Sequence, residues 1–413
     1  MRPGKRPAKQ MIDETYQLLL DAVKCAVRGK QLPASELLHQ KRWDLFQLAV
    51  DHQILPLVVN ALHDAEVNEP TRSGIEEQAR KRAIGQAQRT ADFLLLLQRF
   101  GQKGLRPVVV KGLVCRSLYP EPELRPSADE DLLILPEEYA ACREVLTDAG
   151  FVLDKGIEGK DYEIAFIHPE SHLCIELHTS LFPEESEAYG DCARYFDGAI
   201  DRAVDLTVEG VSLRTLSPTD HLLFLICHAY KHLLYAGIGI RQVCDMELMI
   251  ERFGKDLDWG YIRKICDELS LSVFTAALFR IGEKHLGFAM PKAFADIDVD
   301  ESALLEDILS GGLYGVVDVD RAHSSTMTLE AVSAARDGRR SKGALHSVFL
   351  PLEAMRGNYP YLRSCPWLLP AAWAQRIFRY LARKDRSDPV NPLRSVQIAH
   401  ERIDLLKQYR IIR

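Results

Sequence analysis

A chain of 413 residues, 47% hydrophobic and 27% charged, has the make-up of an ordinary globular protein and the length for two or three cores. A net charge of −7 argues against wholesale coating of nucleic acid, though it leaves room for a local basic patch. No apolar run approaches the roughly 18–20 residues of a membrane span, and nine scattered cysteines without C-x-x-C spacing suit reduced thiols in the cytoplasm.

The opening MRPGKRPAKQ is basic but lacks the apolar stretch of a signal peptide, and reads as a short disordered arm. Residues 11–100 predict helices throughout. Leu18, Leu19, Leu20, Val23 and Val27 form one apolar stripe; Trp43, Leu45, Phe46, Leu48 and Ala49 form another. No cluster of chemical groups lies here, so residues 1–104 are expected to be an N-terminal helical region.

Residues 105–214 predict an α/β unit. A strand over 107–110 ends in Lys111-Gly112, and a helix follows around Leu113–Tyr119. A second strand opens with Asp129 and Asp131 and runs on through the apolar Leu132–Leu135. Side chains alternate along a strand, so these two carboxylates point one way and Glu130 the other. Two acids at the mouth of a buried strand are costly unless a cation sits between them, and a hard divalent ion with oxygen ligands, Mg²⁺ first, fits that need. Gly112 would let a phosphate approach the backbone, and the helix N-terminus would offer it N–H donors. A helix from Pro136 to about Ala149, capped by Gly150, precedes strands at Phe151–Leu153, Tyr162–Ile167 and Leu173–His178. The last of these puts Leu173, Ile175 and Leu177 on one face and Cys174, Glu176 and His178 on the other.

From Thr215 the pattern is helical again, with Ser217-Pro218-Thr219-Asp220 as a start signal. His221, His228 and His232 fall on one side of this helix, and Arg241 and Asp245 stand four apart on the next. Ala229 occupies the place where a zincin has its Glu, which argues against zinc on His228 and His232. Core packing or contact with a nucleotide phosphate or acceptor, assisted by Lys231, remains open for this pair. Residues 319–345 are polar and rich in small residues, and read as a loop or lid. The stretch 376–413 carries ten Lys/Arg against four Asp/Glu, which makes it either a solvated basic face or an anion-binding surface.

In order, K-G, L-Y-P, R, D-x-D-L-L-I, I-E-L-H, then H, H-x-x-K-H, I-R and D resemble the uncharacterised nucleotidyltransferase family, a branch of the polymerase-β-like nucleotidyltransferase superfamily. The resemblance covers about residues 15–380. It implies a small-residue turn after a strand, a D-x-D on the next and a third carboxylate later, matched here by Lys111-Gly112, Asp129 and Asp131, and Glu176. Lys-Gly departs from the Gly-Gly or Gly-Ser of the wider superfamily. The implied fold class is α+β: a small mixed-sheet catalytic domain over 105–214, embedded between N-terminal and C-terminal helical regions, with 215–318 completing the cleft and 319–413 as loop and terminal helices.

The implied activity moves a nucleoside monophosphate from an NTP such as ATP to an acceptor: a small hydroxylated metabolite, a sugar, a peptide, a protein or an RNA end. Asp129, Asp131 and Glu176 are the expected catalytic and metal-holding acids, for two Mg²⁺ ions or for Mn²⁺. Lys111, Gly112, Arg125, His178, His228, Lys231, His232, Arg241 and Asp245 are the expected nucleotide-binding residues. Salt bridges, from Arg125 to the acids around Glu121 and Glu123 and between Arg241 and Asp245, are the structural alternatives. Rival readings are a non-catalytic nucleotide-binding module and a toxin-like enzyme modifying tRNA through the basic tail.

Overall fold

The computed structural model describes residues 13–62, 69–154, 162–235, 237–312, 319–336 and 392–412, together with 352, 355, 359–363 and 365–382. Within them seven strands form one mixed sheet: β1 (Val108–Val110), β2 (Asp129–Leu133), β3 (Val152–Leu153), β4 (Glu163–Ile167), β5 (Cys174–His178), β6 (Val204–Val208) and β7 (Val211–Thr215). Their spatial order is β3-β4-β5-β2-β1-β7-β6. β1 runs parallel to β7 and β2 parallel to β5, while the remaining neighbours are antiparallel. The expected α+β class holds, with helices on both sides of the sheet in sequence.

Before the sheet come α1 (Glu14–Ala26), α2 (Glu36–Asp51), α3 (Leu55–Ala61) and the long α4 (Glu69–Gln102). Within it lie α5 (Gly112–Arg116) and α6 (Tyr139–Asp148). After it follow α7 (Pro218–Tyr235), α8 (Ile240–Phe253), α9 (Trp259–Glu268), α10 (Ser272–Ile281), α11 (Ser302–Gly311), α12 (Val319–Arg336), α13 (Leu369–Ala382) and α14 (Pro392–Gln408). One apolar core runs from Leu18 on α1 to Ile412 beyond α14, so the four regions share a single interior. The central strands supply its middle: Val108, Val109, Val110, Leu132, Ile175 and Leu177 are buried. Met355, Tyr359, Leu362 and Ala372 form a small separate cluster from the proline- and aromatic-rich stretch. No helix of the described residues is long and apolar enough to cross a membrane. All nine cysteines are free thiols.

Two expectations are corrected and one element is added. Residues 204–215 are a hairpin, and β7 extends the sheet beyond β1. Its turn is Glu209-Gly210, both with positive φ (48° and 79°), the geometry of a tight two-residue hairpin. Residues 319–336 are a helix packed on α14 and α7 rather than a loop, while the remainder of the expected lid, 337–345, lies outside the described residues. The basic tail is not one solvated face. Arg402 is buried, and its guanidinium donates to Leu233 O, Tyr235 O and Ser324 Oγ, closing the last carbonyls of α7. Leu405, Leu406, Tyr409, Ile411 and Ile412 are buried beside it. Residues 1–12, expected as an arm, and 383–391 of the tail lie outside the described residues.

Candidate active site

β2 and β5 build the site. Their parallel register sets Asp131 directly beside Glu176, and Leu133 beside His178. As the alternation requires, Ile175 and Leu177 go into the core, and Glu176 and His178 lie on the other face. His178 Nε2 lies 3.2 Å from Asp131 Oδ1 and 3.5 Å from Glu176 Oε2. One ligand atom from each of Asp131, Glu176 and His178 falls within 4.8 Å of the other two. Two carboxylate oxygens and an imidazole nitrogen at that spacing fit a divalent ion. Asp129 was expected in this set, but it stands at the rim, half-exposed, and His178 takes its place. I-E-L-H carried the signal: Glu and His two apart on a strand share a face.

Electrostatics sort these groups. Burial opposes ionisation of Asp131, but the Lys111 charge and the His178 contact outweigh it and hold the carboxyl well below its ordinary range. Burial raises the Glu176 carboxyl; the charges of Asp131 and Asp129 add to this, while the His178 hydrogen bond acts against it. Burial would depress His178, yet its two carboxylate partners lift it to about 9. The two neighbouring acids are therefore pushed in opposite directions.

The Lys111-Gly112 turn differs from expectation. Lys111 has φ 59° and ψ −110°, and its N–H donates to His221 Nε2 at 3.0 Å. With Nε2 accepting, the His221 proton belongs on Nδ1, which faces Thr215 Oγ1 at 3.4 Å; that hydroxyl donates to Val109 O. Burial pushes His221 down to about 4, so the ring is neutral. The following turn is closed from the other face of β2: Glu130 Oε2 accepts from Leu113 N at 2.8 Å, and Glu130 Oε1 pairs with the fully buried Arg116 at 2.6 Å. A Cβ on Gly112 would fall 2.1 Å from Glu130 Oε2. The turn is thus no open phosphate cradle, because Glu130 fills the space over Gly112 and two of its N–H donors are committed. The Lys111 ammonium instead reaches the acids, 2.8 Å from Asp131 Oδ2 and 3.6 Å from Asp129 Oδ2.

The remaining expected residues divide. Arg125 and Asp245 form a buried two-point pair, at 3.0 and 2.6 Å, and Tyr119 O–H donates to the same carboxylate at 2.8 Å. Arg125 therefore ties the 122–128 loop to α8 and does not bridge to Glu121 or Glu123. Asp245 is claimed by Arg125, so Arg241 pairs elsewhere and donates to Pro126 O at 2.6 Å. Burial holds His228 well below its ordinary value and takes His232 down to about 3; their Nε2 atoms lie 3.1 Å apart, and neither ring belongs to the Asp131–Glu176–His178 cluster. Half-buried Lys231 lies between them on α7, and its charge reaches both rings. α4 steadies the loop entering β2, since Gln86 Oε1 accepts from Ser127 N.

Lys111, Arg125, Asp129, His228, Arg241 and Asp245 line a narrow cleft beside the acids. It encloses about 20 Å³, room for roughly one water. A hollow of about 470 Å³ elsewhere, between Asp267, Ser272, Lys407 and Arg410, holds none of these groups.

The mixed sheet, framed by helices, thus carries paired acids on two adjacent strands. The family described as an uncharacterised nucleotidyltransferase matches residues 39–287, more than half of the chain, and the chain belongs to that family. No curated protein and no solved structure matches it.

Proposed function

We propose that this chain transfers a nucleoside monophosphate from an NTP, such as ATP, to a hydroxyl-bearing acceptor, releasing pyrophosphate, in the cytoplasm. The observation that carries the reading is the Asp131–Glu176–His178 cluster in a chain of this family. A divalent ion held there, Mg²⁺ or Mn²⁺, would stabilise the charge developing on the phosphates. The imidazole among the ligands favours Mn²⁺ over Mg²⁺, which prefers oxygen. Glu176, placed beside the ion, would accept the proton of the attacking hydroxyl as the hydroxyl oxygen bonds to the α-phosphorus and the bond to pyrophosphate breaks. Asp131, held ionised, keeps the ion in place. Lys111 and Arg241, with Lys231 nearby, offset triphosphate charge along the cleft. Arg125 and Asp245 act by holding the loop and α8 at a fixed spacing. The acceptor class stays as broad as the sequence leaves it: metabolite, sugar, peptide, protein or RNA end.

The test is a screen of labelled NTPs for pyrophosphate release, with and without acceptors, on wild type and Asp131→Asn. The variant should stay folded and lose metal-dependent turnover. Undiminished turnover at saturating Mg²⁺ and Mn²⁺ would sink the site assignment, and NTP binding without any release would favour a nucleotide-sensing module.

A further inference from the structure

Lys111 is a non-glycine residue in a backbone region that L side chains rarely adopt, a conformation costing about 1–3 kcal/mol that glycine would take freely. The surroundings fix it there. Its N–H is bound by His221, β1 is paired on both edges, and the next turn is closed by Glu130. What glycine could not supply is the ammonium, which lies between Asp129 and Asp131 on a side chain only 12% exposed. The two oxygens of Asp131 serve different neighbours. Oδ2 meets Lys111 Nζ at 2.8 Å, and Oδ1 faces His178 and the Glu176 cluster. That is how a carboxylate bridges two adjacent cations, one oxygen to each. Asp129, outside the Asp131–Glu176–His178 set, belongs to the Lys111 side.

We infer that Lys111 is a built-in second cation. The chain takes up one divalent ion, at Asp131, Glu176 and His178, and its own ammonium holds the Asp129–Asp131 position. There it would neutralise triphosphate oxygens, a role that rests on the nucleotidyl-transfer reading, whereas the ion count does not. A fixed ammonium cannot dissociate with the leaving group, and it contributes one charge where a metal contributes two.

The experiment counts Mn²⁺ bound to the full chain by electron paramagnetic resonance, without nucleotide. Wild type should bind one ion per chain. Lys111→Gly, which suits the backbone and keeps the fold, should bind two, with the line broadening of adjacent spins; Lys111→Arg should bind one. Asp129→Asn should keep the single ion, with affinity changed less than about threefold. Two ions or none in wild type, no second ion in Lys111→Gly, or loss of the ion in Asp129→Asn would each overturn the inference. Two ions together with nucleotide turnover would reject the built-in cation and leave the transfer reading intact. One ion without pyrophosphate release from any NTP would do the reverse.

Discussion

Gly112→Ala tests whether Glu130 closes the turn before α5. An ideal Cβ at this position would sit 2.1 Å from Glu130 Oε2, 2.9 Å from its Cδ and 3.4 Å from Asp129 O. Cβ contacts under 3.0 Å essentially never occur, so the carboxylate must retreat by roughly 1 Å. It cannot do so freely. The same group accepts from Leu113 N and pairs with Arg116, which is fully buried. Disrupting a buried ion pair by loss of a partner costs about 3–5 kcal/mol, and an orphaned buried N–H about 1–3. With partial relaxation the expected loss is about 3–5 kcal/mol, or roughly 6–10 °C of melting temperature at about 2 °C per kcal/mol. Gly101→Ala is the control: nothing lies within 4 Å of its Cβ on α4, so it should stabilise by about 0.5–1 kcal/mol. Calorimetry on both variants decides the matter. A Gly112→Ala melting point within 2 °C of wild type, alongside a well-behaved control, would show that Glu130 does not hold this turn.

Other outcomes follow from buried groups. Asp245→Asn should destabilise by about 3–5 kcal/mol, because Arg125 stays buried with its charge unmatched, and Tyr119→Phe by about 1–3; equal melting points in denaturation would refute the pairing. Glu247 is buried, and burial raises its carboxyl well above the ordinary range. A folded acid raised in this way binds protons that the unfolded chain releases above about 4.3, so it removes stability as pH climbs from there. The melting-point advantage of Glu247→Gln over wild type should therefore widen between pH 5 and pH 8; a constant difference would count against it. His228→Ala should leave divalent-ion uptake unchanged, and the purified protein should carry no stoichiometric zinc by elemental analysis, since neither His228 nor His232 belongs to the Asp131–Glu176–His178 cluster. A zinc ion lost in this variant would contradict that.

The acids were readable because a strand has period two: D-x-D and E-L-H each place two polar groups on one face, whatever the rest of the fold does. The partners of those groups were not readable. Arg125 and Asp245 lie 120 residues apart, and helical spacing pointed to Arg241 as the nearer mate. Local spacing says which side chains can meet within an element, never which elements meet. The hairpin at 204–215 is marked in the sequence only by short alternation on either side of Glu209-Gly210, a weak signal in so short a stretch. α12 was hidden by its composition. Its buried face includes Ser324 and Thr328, whose hydroxyls donate back to Arg321 O and Ser324 O, so a packed helix carries the residues of a loop.

The clasp of Arg402 on the end of α7 has a consequence for synthesis. Lys111 waits for His221 to fix its backbone, and the helix bearing His221 waits for Arg402 to close its last carbonyls. At about 5–20 residues per second, roughly 15–60 seconds separate the emergence of Lys111 from that of Arg402. During that interval the nascent chain already displays its acids, but the helix beside them has a loose end. A ribosome-bound chain halted short of Arg402 would thus hold a complete set of acids beside a helix whose last carbonyls are still open.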